Sequence, residues 1–268
     1  LPTRCRPLLG TFVEVTVPKG AASAIDAAFA AIAHVQSLMS FHDEGSDIAR
    51  IRRTPPGKRV EVAPETAEVL RVARDLHQAS GGLFDVTVGH ELVRGGFLPK
   101  PRFRAKRGRW GTATDIEVLD SGHVRCARPV LIDLGGIAKG YAVDCAVEAL
   151  KGAGAPEGLV NAGGDIRMFG GRPWPVSLRD ADGGVRKEIT LTDRAVASSA
   201  NLGNRRRRWG RVFTPHIGFD RKAIVCKERV TVVADRCVMA DAMTKIAMAD
   251  RGLAQCLLAG HGGYVLTD

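Results

Sequence analysis

The stretch DLGGIAKG, residues 133–140, sets a lysine behind a glycine pair, where an apolar run gives way to a helical pattern. Three further stretches put an aspartate among small residues: SGGLFDVTVG (80–89), NAGGDIR (161–167) and MADAMTK (239–245). Small residues let a ligand approach the backbone, because a larger side chain would hold it away. Free N–H groups at helix starts favour anions, and the Lys139 charge could hold a phosphate there. The spacing fits neither a P-loop, which needs Ser or Thr directly after its lysine, nor the dinucleotide fingerprint GxGxxG. Each stretch alone is an ordinary turn. Four in one chain ask for a shared purpose.

The elements that must position these residues follow from periodicity. Thr11 to Val17 alternates apolar and polar as a strand does, and the alanine-rich run 21–40 has helical spacing. A short helix follows Ser46, and 63–82 carries an acidic first turn and a double-glycine stop, the marks of a helix. FDVTV (84–88) reads as a strand or strand end and VLIDL (130–134) as a buried strand. AKGYAVDCAVEALKGAG (138–154) reads as a helix and GLVNAGGDIRMFGG (158–171) as a hairpin with a glycine corner. Strands at 175–180, 188–193, 194–199, 229–235 and 263–268 follow, with a helix over 238–252. Helices interleave with strands joined by tight turns, which predicts a mixed α+β fold, mixed sheets flanked by helices, rather than a purely parallel sheet. No low-complexity linker divides residues 1–268, so one domain is expected.

Composition narrows the classes. The 268 residues are 45% hydrophobic and 25% charged, ordinary for a globular protein. No apolar run approaches the roughly 20 residues of a membrane span, so no transmembrane segment is expected. The net charge of +10 gathers partly in RFRAKRGR (102–109) and NRRRRWGR (204–211), both read as exposed loops. With only 5% aromatic residues, the stacking platforms of a nucleic-acid binder are scarce, so no nucleic-acid partner is expected. The six cysteines form no CxxC pair and read mostly as buried small apolar groups. The sequence starts at Leu1 without a signal-like segment.

In order and spacing, the motifs resemble the ApbE-type FAD:protein FMN transferases. The resemblance runs from Gly10–Thr11 through SFHDEGSDIARI (40–51), SGGLFDVTVG, LIDLGGIAKGYAVD (131–144), LVNAGGDI (159–166), AVASS (195–199) and MADA (239–242), nearly the whole chain. It implies a compact mixed α/β fold with flavin in a cleft. It also implies cleavage of FAD with a divalent metal, usually magnesium, and transfer of the FMN half to a Thr or Ser of an acceptor flavoprotein. By this resemblance Lys139 and Asp144 belong to the FAD-binding helix, and Gly164 to the glycine corner that meets the cofactor. Met39 and Phe41 match apolar positions near the flavin or adenine, and Asp85 and Thr87 match polar positions of the cleft. Ser198 and Ser199 stand where the family has Thr-Ser. His216 matches the histidine of a motif in which Arg221 also falls in register. Gly136 matches a carbonyl that approaches the metal, Asp241 the metal-binding aspartate, with Thr244 beside it. Asp241 and His216 are the catalytic candidates. Such a protein acts in the periplasm where a leader has been removed, and otherwise in the cytoplasm.

The departures are as informative. After His216 the chain reads IGFDRKA, without the family's proline, threonine and glycine, and Arg52 stands where Asn is usual. Lys245 holds the place of the metal-ligating threonine, and Thr244 comes one residue early. An ammonium has no lone pair to give a metal, which counts against metal dependence. Asp241 and Lys245, four apart on a helix, share a face and can pair; otherwise Lys245 faces solvent and Thr244 serves as ligand. Two other readings therefore stand beside the transferase: an FAD diphosphatase using water as acceptor, and an FAD-binding protein without turnover.

Overall fold

The computed structural model describes residues 1–101, 110–180, 184–201, 203–208 and 210–266. In chain order the strands are β1 (Thr3–Leu8), β2 (Thr11–Thr16), β3 (Arg59–Glu61), β4 (Ile116–Val118), β5 (His123–Cys126), β6 (Gly158–Ala162), β7 (Asp165–Phe169), β8 (Trp174–Arg179), β9 (Val185–Leu191), β10 (Ala195–Ser199), β11 (Arg206–Arg208), β12 (Arg211–Phe213), β13 (Val230–Ala234) and β14 (Tyr264–Val265). The helices are α1 (Ile25–Met39), α2 (Asp47–Arg53), α3 (Pro64–Ala79), α4 (Gly89–Gly95), α5 (Ala138–Gly152), α6 (Cys237–Ala247) and α7 (Arg251–Leu258). The chain forms two compact units, one of residues 1–36, 137–202 and 226–268, the other of residues 37–136 and 203–225.

The first unit is built on a seven-stranded sheet in the order β1-β2-β6-β7-β10-β13-β14. Every ladder in it is antiparallel. The α+β class is as the sequence implies, but strand direction is not mixed, because tight turns and helical returns bring each strand back beside its neighbour. Side chains alternate across the sheet. Met168, Val196 and Val233 on one face pack with Trp174, Val176 and Leu191 of the β8–β9 hairpin. On the other face, α6 packs against β10 and β13, and α5 against α6, β6 and β7. β13 is buried at every position, as a strand covered on both faces must be.

Helix α1 continues a 3-10 turn, Lys19–Ala24, and buries Ile25, Ala28, Phe29, Ile32 and Val35, one stripe at helical spacing. The absence of an apolar span of membrane length is corrected here: Lys19–Met39 is 21 residues, long and apolar enough to cross a membrane by length and composition, and part of it is buried within the structure.

The second unit carries a three-stranded sheet, β3-β5-β4, with α3 beside β4. Ser46 caps α2, its hydroxyl accepting the Ala49 N–H at 3.1 Å. Neither FDVTV nor VLIDL forms a strand. The Asp85 carboxylate takes both the N–H (2.8 Å) and the hydroxyl (2.6 Å) of Thr87, an Asx turn that bends the chain. The segments meet through two backbone bonds, Asp133 N–H to Val86 O (2.8 Å) and Gly89 N–H to Leu131 O (3.0 Å).

Other expectations also shift. The helix over 238–252 is two helices, because the Asp250 side chain accepts the Leu253 N–H at 2.9 Å and starts α7. The final strand is only Tyr264–Val265. Half of the second arginine run forms a hairpin, β11 with β12, its turn carrying Gly210 at φ +71°; the first run, 102–109, lies outside the described residues. All six cysteines are free thiols, but only Cys126 and Cys237 are buried.

The β6–β7 corner is where glycine is needed most. Gly163 and Gly164 both sit at positive φ, and a Cβ on Gly163 would lie 2.5 Å from Thr11 Oγ1. Gly163→Ala is therefore expected to lower stability by about 1–3 kcal/mol, read as a shifted midpoint in urea unfolding.

Candidate functional site

Four of the glycine- and alanine-rich motif residues converge in the first unit. Helix α5 carries Lys139, the hairpin strand β7 carries Asp165, and α6 carries Asp241 and Lys245. Lys139 Nζ pairs with Asp165 Oδ2 and faces Asp241 Oδ2 at 3.8 Å. Lys245 Nζ donates to Asp241 Oδ1 at 2.5 Å, to the Asp241 carbonyl at 3.1 Å, and contacts Ser199 Oγ and Thr244 Oγ1, both at 3.0 Å. Asp241 is fully buried. It thus stands between two ammonium groups, and the pairing allowed by the i,i+4 spacing is formed. The solvent-facing arrangement of Lys245 is not.

This cluster depends on how close two helices come. A Cβ on Gly140 would lie 2.3 Å from the Cys237 carbonyl oxygen and 2.8 Å from Asp241 Cβ, so only glycine lets α5 and α6 approach this far. The gap that remains is bridged by the Gly140 N–H, which donates to Asp241 Oδ2 at 3.1 Å. Behind it, Asp144 holds the start of α6. Its carboxylate accepts the N–H groups of Cys237 (2.9 Å) and Val238 (3.0 Å) and pairs with Arg167 at 3.0 Å, complementing the helix N-terminus. Burial raises the Asp144 pKa against the pull of Arg167 and those two N–H groups. The role visible for Asp144 is to fix α6.

Charge and burial oppose each other at each group. Burial would raise Asp241, but the Lys139 and Lys245 ammoniums outweigh it and hold the carboxyl below its ordinary value. Burial, with the Asp241 charge, pushes Asp165 up to about 6, against Lys139 and Lys245. Burial would lower Lys139, yet Asp241 and Asp165 hold it above its usual value. Two buried carboxylates and two ammoniums thus form a fixed, nearly neutral cluster.

The neighbouring candidates Ser199 and Thr244 join it, their hydroxyls 2.8 Å apart, with Thr244 also donating to the Asp241 carbonyl at 2.7 Å. Ser198 instead meets Thr231 at 2.8 Å. Ser198 and Gly164 line a cavity of about 490 Å³ with Thr11, Glu14 and Asn161. Asp165 is the member that reading the motifs missed. Its signal lay in NAGGDI, where it ends a glycine corner as the other aspartates do.

The remaining candidates, Met39, Phe41, Asp85, Thr87, Gly136 and His216, lie in the second unit. Arg221 donates to Asp85 Oδ2 at 2.8 Å, and at 3.2 Å to both the carbonyl and the hydroxyl of Thr87. Arg221, in register by resemblance, thus ties the Asx turn to the segment after β12. The His216 carbonyl accepts from the Thr214 hydroxyl (2.9 Å) and the Ile224 N–H (2.8 Å), which anchors its backbone. Met39 and Phe41 are buried, and the Arg52 guanidinium lies 5.1 Å from the Phe41 ring centre, a cation–π contact. The arginine that departs from the family pattern thus covers one of the apolar candidates.

Comparison with known proteins gives one consistent result. The family model described as ApbE family matches residues 9–257. An FAD:protein FMN transferase of Haemophilus influenzae is 31% identical over 188 residues, 63% of this chain and 52% of its own length. One of Rhodobacter capsulatus is 31% identical over 207 residues, 69% of this chain but 38% of its own length. The chain therefore spans about half the length of the first and less of the second. The crystal structure of an ApbE protein from Thermotoga maritima superposes with a TM-score of 0.84 at 26% identity, covering 99% of this chain and 93% of that one.

The raised Asp165 carboxyl sets a pH dependence. The folded state keeps this proton up to about 6, whereas an ordinary aspartate titrates at 3.8. The stability tied to it is fully present below the unfolded value and lost as pH rises through the folded one. Thermal melts of wild type against Asp165→Asn should show the wild type losing ground as pH rises between about 4 and 6. A difference that stays flat across that window would contradict the shift.

Proposed function

The chain belongs to the ApbE family, and from that premise we propose that it is an FAD:protein FMN transferase. It binds FAD, acts at the diphosphate, and moves the FMN half onto a Ser or Thr hydroxyl of an acceptor flavoprotein. The acceptor oxygen forms a bond to the phosphorus of the FMN half, the bridging P–O bond breaks, AMP leaves, and the hydroxyl proton is given up. The observation that carries this reading is the buried Asp241, set between the ammoniums of Lys139 and Lys245. Fixed ammoniums can offset charge that builds on phosphate oxygens as the bond breaks. The glycine corner at Gly164 and the Ser198 side chain line a cavity, which supports a ligand approaching the backbone there. By resemblance alone, Asp85, Thr87, Arg221 and His216 are also proposed as flavin-nucleotide residues.

A second reading has one observation in its favour. Lys245 sits where the family pattern has a threonine, and it occupies the Asp241 carboxylate. On that reading the protein splits FAD with water as acceptor, or holds FAD without turnover.

Incubation with FAD and a Ser- or Thr-bearing acceptor peptide separates these. Transfer yields AMP and FMN-labelled peptide in equal amounts, hydrolysis yields AMP with unlabelled peptide, and binding alone yields neither. Asp241→Asn should reduce AMP release by about a hundredfold or more. Since the charge it removes is buried between two ammoniums, the variant should also lose about 3–5 kcal/mol of stability. Circular dichroism with urea unfolding measures the stability loss, and chromatography of released AMP at a temperature where the variant is folded measures the chemistry. Full turnover by the folded variant would remove Asp241 from the mechanism.

A further inference from the structure

The donor set at Asp241 does not suit a divalent cation. Its Oδ1 accepts Lys245 Nζ at 2.5 Å, and its Oδ2 accepts the Gly140 N–H at 3.1 Å and faces Lys139 at 3.8 Å. Its carbonyl oxygen already accepts the Thr244 hydroxyl at 2.7 Å and Lys245 at 3.1 Å. Thr244 Oγ1 itself meets Ser199 Oγ at 2.8 Å and Lys245 Nζ at 3.0 Å. The oxygens that would ligate a metal are thus turned toward an ammonium. Among the described residues, no group of three or more His, Cys, Asp or Glu is placed to hold one. Magnesium asks for near-octahedral oxygen ligands, and here it would have to enter beside two lysine charges in a buried place, where repulsion is poorly screened.

We propose that the Lys245 ammonium stands in this protein where a divalent cation would otherwise sit, so that the site binds a diphosphate ester through fixed lysine charges and without a metal. Lys245 is suited to this because its side chain is only 19% exposed and is held at Asp241. The ammonium is already oriented, with its position set by the carboxylate, the Asp241 carbonyl and the Ser199 hydroxyl. Lys139, paired with Asp165 and near the same carboxylate, supplies the second charge. The carboxylate, carbonyl and hydroxyl oxygens engage the donors of Lys245, so it acts on a nearby phosphate through its point charge, and unlike a metal it cannot gather several ligands around itself. The identity of the diphosphate ester rests on the FAD reading above, whereas the exclusion of the metal does not.

The test has two arms. In the first, Mn2+ is titrated into the protein alone and followed by electron paramagnetic resonance. Wild type should show no bound Mn2+ up to about 1 mM, while Lys245→Thr, which frees Asp241 and adds a hydroxyl, should gain one site. One equivalent of Mn2+ bound by wild type and lost in Asp241→Asn would overturn the proposal, and that arm needs no change at Lys245. In the second arm, FAD binding is followed by flavin fluorescence in EDTA and in Mg2+. Wild type should bind equally in both, and Lys245→Thr should weaken about tenfold in EDTA and recover in Mg2+. Lys245→Gln, neutral and close in size, should weaken likewise if Lys245→Thr proves poorly folded. An affinity of wild type that rises about tenfold on adding Mg2+ would overturn the proposal. Absence of FAD binding under every condition would remove the flavin reading, and the Mn2+ arm would still decide the metal question.

Discussion

Taking a carboxylate out of water costs several kcal/mol unless charge and hydrogen bonds replace its hydration. Asp241 meets that condition through two lysines and one backbone N–H, and much of the first unit is arranged so that it can. The lysines come from different helices, so α5 and α6 must lie side by side. The N–H comes from Gly140, so the helices must also approach to a distance at which any Cβ would strike the Cys237 carbonyl. The order of the two helices along the sheet, the absence of a side chain at position 140 and the burial of Asp241 are one constraint seen from three sides.

The rest of the unit holds that arrangement still. Asp144 fixes the first turn of α6 from α5, so the helix cannot slide without breaking bonds to a buried carboxylate. β10 lies under α6 and alternates as a strand must: Val196 goes to the apolar layer beneath the β8–β9 hairpin, and Ser199 goes up to Thr244 and Lys245. The hairpin corner at Gly163 and Gly164 turns β6 into β7 and delivers Asp165 to Lys139. Every polar group of the cluster is supplied by a packed element rather than by a loose loop, which is what preorganised charge requires.

The second unit builds its own constellation by a different device. There the backbone is bent by side chains: Asp85 turns the chain by taking both donors of Thr87, and Arg221 clamps the turn through the same residues. Arg221 itself sits at φ +59°, an uncommon conformation for a residue with a side chain, held by those contacts. A strand-like apolar run such as FDVTV loses to this local hydrogen bonding, since short polar side chains compete with ladders for backbone donors.

The sequence by itself determined the class and the parts. Helical and strand periodicities fixed α1, α3, α5, β2, β6, β7, β10 and β13 in kind, because each buries one stripe or alternates across one sheet. The order of the glycine-rich motifs was enough to resemble the right family, and the four-residue spacing of Asp241 and Lys245 was enough to allow their pairing. Strand-like stretches at 84–88 and 130–134 misled, since β-propensity says only that a segment suits a pleated, half-buried surface, and these found no ladder to join. The tertiary structure alone decided which charges meet. Lys139 and Asp165 are 26 residues apart, and Gly140 and Asp241 are 101 apart. No local pattern encodes such pairs: they exist only once two helices have closed on a glycine and a sheet has carried a hairpin beneath them, where low dielectric makes each buried charge depend on its partners.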